Sequence, residues 1–122
     1  VLPDTYSRQD AIYNLSRSAL MTASLFSGNL ENLRVAVEDR IHQPYRSSLI
    51  PNYDQIFRLS YELGCLGTCV SGAGPSILAM VESKAADHFT KLAKERLKEK
   101  QIGDWQVKLL NAEPNGAQIF VE

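Results

Sequence analysis

The sequence predicts an α+β domain in which helices cover one face of a mostly antiparallel, four-stranded sheet. Three segments with apolar residues at helical spacing come first, and two pairs of short strand-like runs follow them. Each pair surrounds a glycine-containing turn, and one more helical segment separates the two pairs. This order, three helices and then β, β, α, β, β, is typical of an α+β domain with its helices packed on a sheet.

The first helix is predicted over residues 8 to 27. Ser7 and Asp10 have the spacing of a capping box, with Asp in place of the usual Glu, and Gly28 stops the segment. One apolar stripe is expected to face the core, and its members are Ile12, Leu15, Ala19, Ala23 and Phe26. Further apolar residues lie on another side, so we expect this helix to be covered on more than one face.

Two shorter helices are predicted next. The apolar residues of the second are Leu30, Leu33 and Val37. Pro44 must end or sharply bend that helix, because proline lacks an amide donor and clashes with the preceding turn. Residues 39–51 are therefore expected to form a structured corner. The third helix is predicted to have Asn52 as its N-cap, with Gln55 as the N3 partner of that cap, and to stop at Gly64.

Two buried strands are predicted at 66–71 and 76–81, on either side of a tight glycine loop at 72–75. Two glycines one residue apart permit a turn with positive φ and a close approach of the backbone to a ligand. The groups that can bind an anion there are the amides of Gly72, Ala73 and Gly74 and the hydroxyls of Ser71 and Ser76. A plain hairpin turn is the alternative interpretation.

A fourth helix and two more strands complete the predicted sheet. Ser83 is expected to cap the helix, whose inward residues are predicted to be Ala85, Phe89, Leu92 and Ala93. Alternating apolar residues over 105–109 and the run 118–121 predict the last two strands, on either side of a turn at 114–116.

Composition indicates one domain and excludes several classes of partner. The chain has 122 residues, 44% of them hydrophobic, which suffices for one core and not for two. Its 13 basic and 14 acidic residues form no dense basic cluster, so we expect neither nucleic acid nor a membrane as a partner. The start at Val1-Leu2-Pro3 suggests a segment cut from a longer protein.

The cysteines and histidines predict no metal site and no disulfide. Two Cys and two His lack the spacing of a zinc site, and no carboxylates cluster as they do around Mg²⁺. Cys65 and Cys69, placed on one strand, would lie about 13 Å apart, beyond disulfide reach. We therefore expect free thiols and a cytoplasmic protein.

The corner at 39–46, which reads DRIHQPYR, concentrates polar side chains suited to recognition. Arg46 has the planar fork that fits a carboxylate, such as a small amino-acid substrate presents. A solvated corner with one ion pair, in which Arg46 pairs with Asp39, is the alternative. A further candidate group stands at i, i+4 and i+7 on one face of the first helix, and it comprises Asp10, Asn14 and Arg17. These three residues fit a structural role and a ligand-binding role equally well.

Residues 39–51 (DRIHQPYRSSLIP) and 70–76 (VSGAGPS) together resemble the C-terminal half of bacterial homoserine kinases, members of the GHMP kinase superfamily. The resemblance extends upstream to residues 1–3 and 14–17 and downstream to 77–80, and it thins out after Ser83. SGAGPS is similar to the glycine loop of the GHMP C-terminal domain, which lies beside the phosphoryl-transfer site. HQPYR separates homoserine kinases from mevalonate, galactose and diphosphocytidyl-methylerythritol kinases.

The resemblance implies that residues 1–122 form a ferredoxin-like GHMP kinase C-terminal domain. The implied activity is ATP-dependent phosphorylation of the L-homoserine side-chain hydroxyl, the step before threonine synthase in threonine biosynthesis. Arg46 matches the arginine that grips the substrate carboxylate. The candidate substrate-binding residues are Arg46, Gly72, Ala73, Gly74, His42 and Asp39, with Asn14, Arg17, Ser71 and Ser76 as supporting candidates.

The family's phosphate loop, its Mg²⁺-binding carboxylate and its contacts with the homoserine amine belong to an N-terminal domain that these residues do not include. ATP and Mg²⁺ are therefore expected to bind mainly there, and the chain alone is not expected to be a competent kinase. The expected partners are L-homoserine, ATP and the chain's own N-terminal domain, with a homodimer left open. Two alternatives remain: another GHMP kinase with a different small alcohol, and a free-standing ligand-binding module of ferredoxin-like fold.

Overall fold

A computed structural model describes residues 1–119. Its helices and strands, in chain order, are α1 (Arg8–Ser27), α2 (Leu33–Ala36), α3 (Gln43–Arg46), α4 (Tyr53–Glu62), β1 (Gly67–Val70), β2 (Ile77–Met80) and α5 (Ala86–Glu99). Single 3₁₀ turns span Leu30–Asn32, Ser47–Leu49 and Ser83–Ala85. The two strands pair in antiparallel fashion, with Val70 opposite Ile77 and Gly67 opposite Met80. The α+β class and the first strand pair are as the sequence predicts.

The structure shows two strands in residues 1–119 where the sequence predicts four. Residues 105–109 have no regular structure, although Trp105 and Val107 pack against the core. The partner that the sequence offers to this segment is 118–121, of which residues 120 and 121 lie outside the described residues. A strand depends on hydrogen bonds to a neighbour, so alternation of apolar residues is not enough to establish one.

The ends of α1 confirm the sequence prediction. The Ser7 hydroxyl accepts a hydrogen bond from the Asp10 amide at 3.0 Å and donates one to the Asp10 carboxylate at 2.6 Å. This pair satisfies a helical amide that would otherwise lack a partner. Gly28 ends the helix at φ +73°, in the left-handed region that glycine enters without strain.

The covered face of α1 is not the one that the apolar stripe predicts. All five residues of that stripe are exposed, namely Ile12, Leu15, Ala19, Ala23 and Phe26. The opposite side, with Ser24 only 1% exposed, lies toward α2 and the corner. On the covered side Asn14 donates a hydrogen bond to Asp39 and Arg17 pairs with Glu38. Leu20 and Met21 are half-buried on the same side. The prediction that α1 is covered on more than one face is wrong for the described chain.

The corner begins earlier than the sequence predicts. α2 ends at Ala36, well before Pro44, and this proline lies in the first turn of α3, where its missing amide costs no hydrogen bond. Asn52 takes the N-cap position of α4, but it is left-handed, at φ +57°, and its side chain makes no capping hydrogen bond. Gly64 follows the end of α4 at φ +89°, as predicted.

The core lies between α4, α5 and the strand pair. Its two clusters are Ile56, Leu59, Leu97 and Ile102, and Cys65, Phe89 and Ala93. Ala85 is exposed, contrary to the prediction, because it belongs to the 3₁₀ turn before α5, and the Ser83 side chain makes no capping hydrogen bond. Both cysteines are free thiols. Among residues 1–119, no helix combines the length and apolarity needed to cross a membrane.

Candidate functional site

The fold brings the end of α3 against the turn between β1 and β2, which spans residues 71–76 and is called the glycine loop from here on. Arg46 Nη1 lies 3.4 Å from the carbonyl oxygen of Ala73 and donates a hydrogen bond to it. The Nε of the same guanidinium is buried and has no hydrogen-bond partner within residues 1–119. None of the ion pairs in that part of the chain includes Arg46. The half-buried Arg46 guanidinium therefore lies beside the glycine loop and still has N–H groups that can bind an anion.

The loop offers two backbone amides to a ligand. The Ser71 amide donates to the Ser76 carbonyl at 2.8 Å, and the Gly74 amide donates to the Ser71 carbonyl at 3.1 Å. Gly74 therefore uses its amide inside the turn, and the expected nest of three amides is reduced to two. The amides of Gly72 and Ala73 have no acceptor in the described chain, and both residues are exposed. Two adjacent free amides can bind an anionic oxygen.

The two glycines of the loop are needed for different reasons. Gly72 has φ +57° and Gly74 has φ +79°, so both positions favour glycine. A Cβ on Gly72 would meet nothing within 4 Å, whereas a Cβ on Gly74 would lie 3.1 Å from Ile50 Cδ1 and 3.3 Å from Val70 Cγ1. Gly74 is thus constrained by its backbone and by its neighbours together. The peptide bond from Gly74 to Pro75 is cis.

Asp39 organises the corner and does not pair with Arg46. Its carboxylate accepts hydrogen bonds from the amides of Ile41, His42 and Gln43 and from the Asn14 side chain. Burial raises the pKa of Asp39, but the hydrogen bonds from Asn14 and the three amides together lower it more, and the net pKa lies below its ordinary value. The alternative of an Asp39–Arg46 ion pair is therefore not what holds this corner.

His42 contributes its backbone to the position of Arg46. It is the N-cap residue of α3, and its carbonyl accepts hydrogen bonds from the amides of Tyr45 and Arg46, both at 3.2 Å. The imidazole is half-buried and makes no hydrogen bond among the residues that the structure describes. His42 therefore lies next to α3, as its place in the corner predicts, but within residues 1–119 its side chain makes no hydrogen bond to the loop.

Asn14 and Arg17 connect α1 to the corner. Asn14 Oδ1 accepts a hydrogen bond from the Arg40 amide at 2.9 Å, while its Nδ2 donates to the corner carboxylate. Arg17 Nε lies 3.3 Å from Glu38 Oε2, and its guanidinium stands 4.2 Å from the centre of the Tyr13 ring. Asp10, the third member of this face, has an oxygen 3.9 Å from Arg40 Nη1. All three are engaged within the protein.

Sequence reasoning missed Gln43. Its Oε1 accepts a hydrogen bond from the Val70 amide at 2.8 Å, and its Nε2 donates to the Val37 carbonyl at 3.0 Å. One side chain thereby joins the first residue of α3 to the last residue of β1. The only signal in the sequence is a glutamine directly before Pro44, and that signal does not identify a partner 27 residues away.

A separate groove of about 480 Å³ lies beside the corner. Four aromatic residues, two arginines and two acidic residues are among those that line it, and neither Arg46 nor the glycine loop does. The Arg34 guanidinium stands 4.4 Å from the centre of the Tyr61 ring. Burial raises the pKa of Tyr53 to about 12, so this phenol is protonated at neutral pH. In the part of the chain described, no three His, Cys, Asp or Glu side chains are grouped so that they could hold a metal ion.

Residues 18–98 match the family model described as GHMP kinases C terminal. Among curated proteins, homoserine kinase of Clostridium beijerinckii is 44% identical over 120 residues, which cover 98% of this chain and 40% of that protein. Homoserine kinase of Caldicellulosiruptor saccharolyticus is 39% identical over 121 residues, covering 98% of this chain and 39% of that protein. The crystal structure of homoserine kinase from Cytophaga hutchinsonii is similar with a TM-score of 0.74 at 28% identity, over 84% of this chain and 33% of that one.

Proposed function

Because the chain belongs to the GHMP kinase C-terminal family, we propose that it is the part of a homoserine kinase that holds the substrate carboxylate. The observation that carries the proposal is the Arg46 guanidinium, which lies against the glycine loop and has no ionic partner in residues 1–119. L-Homoserine presents a carboxylate to such a fork and a side-chain hydroxyl to the phosphoryl donor. The whole reaction is ATP-dependent phosphorylation of that hydroxyl to give O-phosphohomoserine.

The site residues divide into two roles under this proposal. Arg46 binds the carboxylate, and the amides of Gly72 and Ala73 stabilise negative charge on the substrate or the transferred phosphoryl group. Asp39, His42 and the supporting residues Asn14 and Arg17 hold the corner from which Arg46 projects. Gly74 shapes the turn, and the exposed hydroxyls of Ser71 and Ser76 stand at its two ends. Phosphoryl transfer depends mainly on positioning and charge neutralisation, which these groups supply in part.

ATP and Mg²⁺ are proposed to bind mainly in an N-terminal domain of the full-length protein. The chain spans about 40% of the length of the curated relatives that it matches, which leaves room for such a domain in those proteins. Two free amides are a weak site for a triphosphate. Calorimetry with MgATP on these 122 residues is therefore expected to give no micromolar affinity, and a micromolar dissociation constant would contradict this assignment.

The remaining proposals concern the cell. O-Phosphohomoserine would be the precursor for threonine synthase in threonine biosynthesis. The cytoplasm is proposed as the compartment because Cys65 and Cys69 are both free thiols, which a reducing environment maintains. The proposed macromolecular partners are the N-terminal domain and a second copy of the protein, for which the exposed stripe of α1 offers an apolar surface.

The test is a comparison of two alcohols as substrates of the full-length protein. L-Homoserine has the carboxylate next to its amine, and mevalonate, a substrate of another GHMP kinase, presents its carboxylate in a different position and has no amine. We expect kcat/KM for homoserine to exceed that for mevalonate by roughly 100-fold or more. A preference for mevalonate would favour another GHMP kinase, and tight binding without phosphorylation of either alcohol would favour a ligand-binding module.

A further inference from the structure

We propose that Gln43 is a positioning residue that fixes Arg46 relative to the glycine loop, and so sets the affinity for the substrate carboxylate. The kinetic part of this inference rests on the proposed function, and the structural part does not. Gln43 and Arg46 are the first and last residues of α3, which is a single helical turn. One helical turn, continued only by the 3₁₀ turn Ser47–Leu49, has little stability of its own, so its position depends on its contacts with the rest of the protein.

The direct contact between Arg46 and the loop is weak. It is a single hydrogen bond of 3.4 Å to the carbonyl of Ala73, near the upper limit for such a bond. The bond from the Val70 amide to Gln43 Oε1 is shorter, at 2.8 Å, and Val70 is only 8% exposed. Val70 directly precedes Ser71, the first residue of the loop. The side-chain amide of Gln43 is therefore a stronger link between α3 and the loop than the Arg46 contact is.

The arrangement is specific for a side-chain amide. Val70 presents an N–H and Val37 presents a carbonyl, so the residue between them must accept one hydrogen bond and donate another. A methionine offers neither, and both backbone groups lose their partner. An ionised glutamate accepts from Val70 but turns its second oxygen toward the Val37 carbonyl, whereas a protonated glutamate restores both hydrogen bonds.

The environment of this position contains several other charged and titratable groups. Asp39 accepts a hydrogen bond from the backbone N–H of Gln43, and Arg46 lies in α3 together with Gln43. The groups that line the adjoining groove are Arg34, Glu38, Arg40, Tyr13, Tyr53 and Tyr61. A pH profile of a variant must therefore be expressed relative to the wild-type protein, so that titration of these shared groups cancels.

The experiment uses the full-length protein with Gln43→Met and Gln43→Glu. The matched controls are Gln55→Met and Gln55→Glu, because Gln55 is exposed on α4 and makes no hydrogen bond through its side chain within residues 1–119. We expect Gln43→Met to raise KM for homoserine about 10-fold or more, with KM for ATP within about threefold of wild type. For Gln43→Glu, kcat/KM relative to wild type should fall as pH rises, while both Gln55 variants stay close to wild type.

Three results would overturn the assignment: an unchanged homoserine KM in Gln43→Met, an equal rise in both KM values, or a ratio for Gln43→Glu that does not vary with pH. A wild-type protein that does not phosphorylate homoserine contradicts the proposed function alone. Hydrogen exchange at the Val70 amide then decides the structural part in the same variants. Faster exchange in Gln43→Met than in Gln55→Met supports the link, and equal exchange rejects it.

Discussion

Within residues 1–119, Arg17 and Arg46 both have a buried Nε without a hydrogen-bond partner, and of these two only Arg46 also lacks an ion pair. Arg17 has Glu38, and Arg96 has Glu99. A guanidinium that has lost part of its hydration gains more from an added carboxylate than an exposed one does, because the surrounding dielectric is lower. The nearest carboxylate of the corner, Asp39, is already committed to amide donors, so it does not compete with a substrate.

Arg46→Leu in the full-length protein should separate recognition from structure. We expect kcat/KM for homoserine to fall roughly 30- to 1000-fold, because a charge-assisted contact in a desolvated site contributes about 2–4 kcal/mol. Tm should barely change, since no ion pair within the described chain is lost. Arg46→Lys should recover only part of the activity, because an ammonium does not reproduce the planar fork. KM for ATP should stay within a few-fold of wild type.

The control for this measurement is Arg58→Leu, at an exposed position on α4 that makes no ion pair among the described residues. It should leave the homoserine kinetics unchanged. Normal kcat and KM for homoserine in Arg46→Leu would remove the carboxylate assignment.

Gly74→Val tests whether the turn itself matters for catalysis. At φ +79° a β-branched residue is strained, and its Cβ would press on Ile50 and Val70, so we expect a loss of about 1–3 kcal/mol of stability and a larger relative loss of turnover. Gly116→Val is the control, because Gly116 has φ +68° but no atom within 4 Å of a Cβ. It should lose only the stability that the positive φ costs and keep its kinase rate. Equal turnover in the two variants would show that the 71–76 loop is only a connector.

At the level of residues, the sequence predicts chemical types better than partners. Arg46 and the glycine loop are candidates because a guanidinium fork fits a carboxylate and two glycines one residue apart permit a tight turn, and the resemblance to homoserine kinases favours these roles over a solvated corner and a plain hairpin turn. The role of Asp39 was not, because a carboxylate can equally well bind a cation, a substrate or a set of amides, and the choice depends on backbone geometry. The role of Gln43 could not be predicted from the sequence for the same reason, because both of its hydrogen-bond partners are main-chain groups.

The corner is the element that joins α1, α3 and the loop. Asp39 receives hydrogen bonds from the chain that follows it and from Asn14 on α1, so one carboxylate links α1 to the start of α3. Since hydrogen bonds to the charged form lower the pKa of Asp39, its contribution to stability is fully present above the pKa of the unfolded chain, about 3.9, and is lost as pH falls through the lower folded pKa.

Asp39→Asn is therefore expected to reduce stability at neutral pH and to reduce it less as the medium is acidified below about pH 4. The two free energies of unfolding should converge at low pH because the wild-type carboxylate becomes protonated. Denaturant unfolding between pH 7 and pH 3 measures this directly. Asp4→Asn, at an exposed residue before α1, should run parallel to wild type over the same range. Parallel curves for Asp39→Asn would contradict the role of its charge.

At the level of elements, the spacing of apolar residues predicts where the helices lie but predicts the wrong covered face of α1. The ends of α1 follow from Ser7 and Gly28, which act through local geometry. Its orientation depends on the polar partners that the corner supplies, and these come from residues far along the chain. The same limit applies to 105–109, where an apolar alternation does not establish pairing without a neighbouring strand.

For the whole molecule, the candidate site, the core and the exposed apolar stripe of α1 lie in different parts of the described chain. The described chain carries Arg46 and the glycine loop on one side, and its buried apolar residues come mainly from α2, α4, α5 and the strand pair. α1 lies outside that core. An exposed apolar face on a 20-residue helix is unusual for an isolated globular protein and is typical of a surface that contacts another domain or another copy.

The separate 122-residue chain should accordingly self-associate through α1. Leu15 is 71% exposed and Phe26 is 91% exposed, and burying such side chains contributes about 1.5–3 kcal/mol each. Sedimentation velocity over a range of concentrations should show reversible association of the wild-type chain. The double variant Leu15→Gln, Phe26→Gln should remain monomeric, because it removes apolar area from the stripe without touching the covered side of the helix.

The matched control is Leu110→Gln, at a residue that is 78% exposed outside α1. It removes a comparable apolar side chain, so it should associate as the wild-type chain does if the α1 stripe is responsible. If the double variant and the control associate equally, the contact between copies lies elsewhere on the surface and not on the α1 stripe. A chain that stays monomeric at all concentrations would show that the stripe is too small or too interrupted by polar residues to join two copies. In that case the N-terminal domain of the full-length protein is the remaining proposed partner for this face.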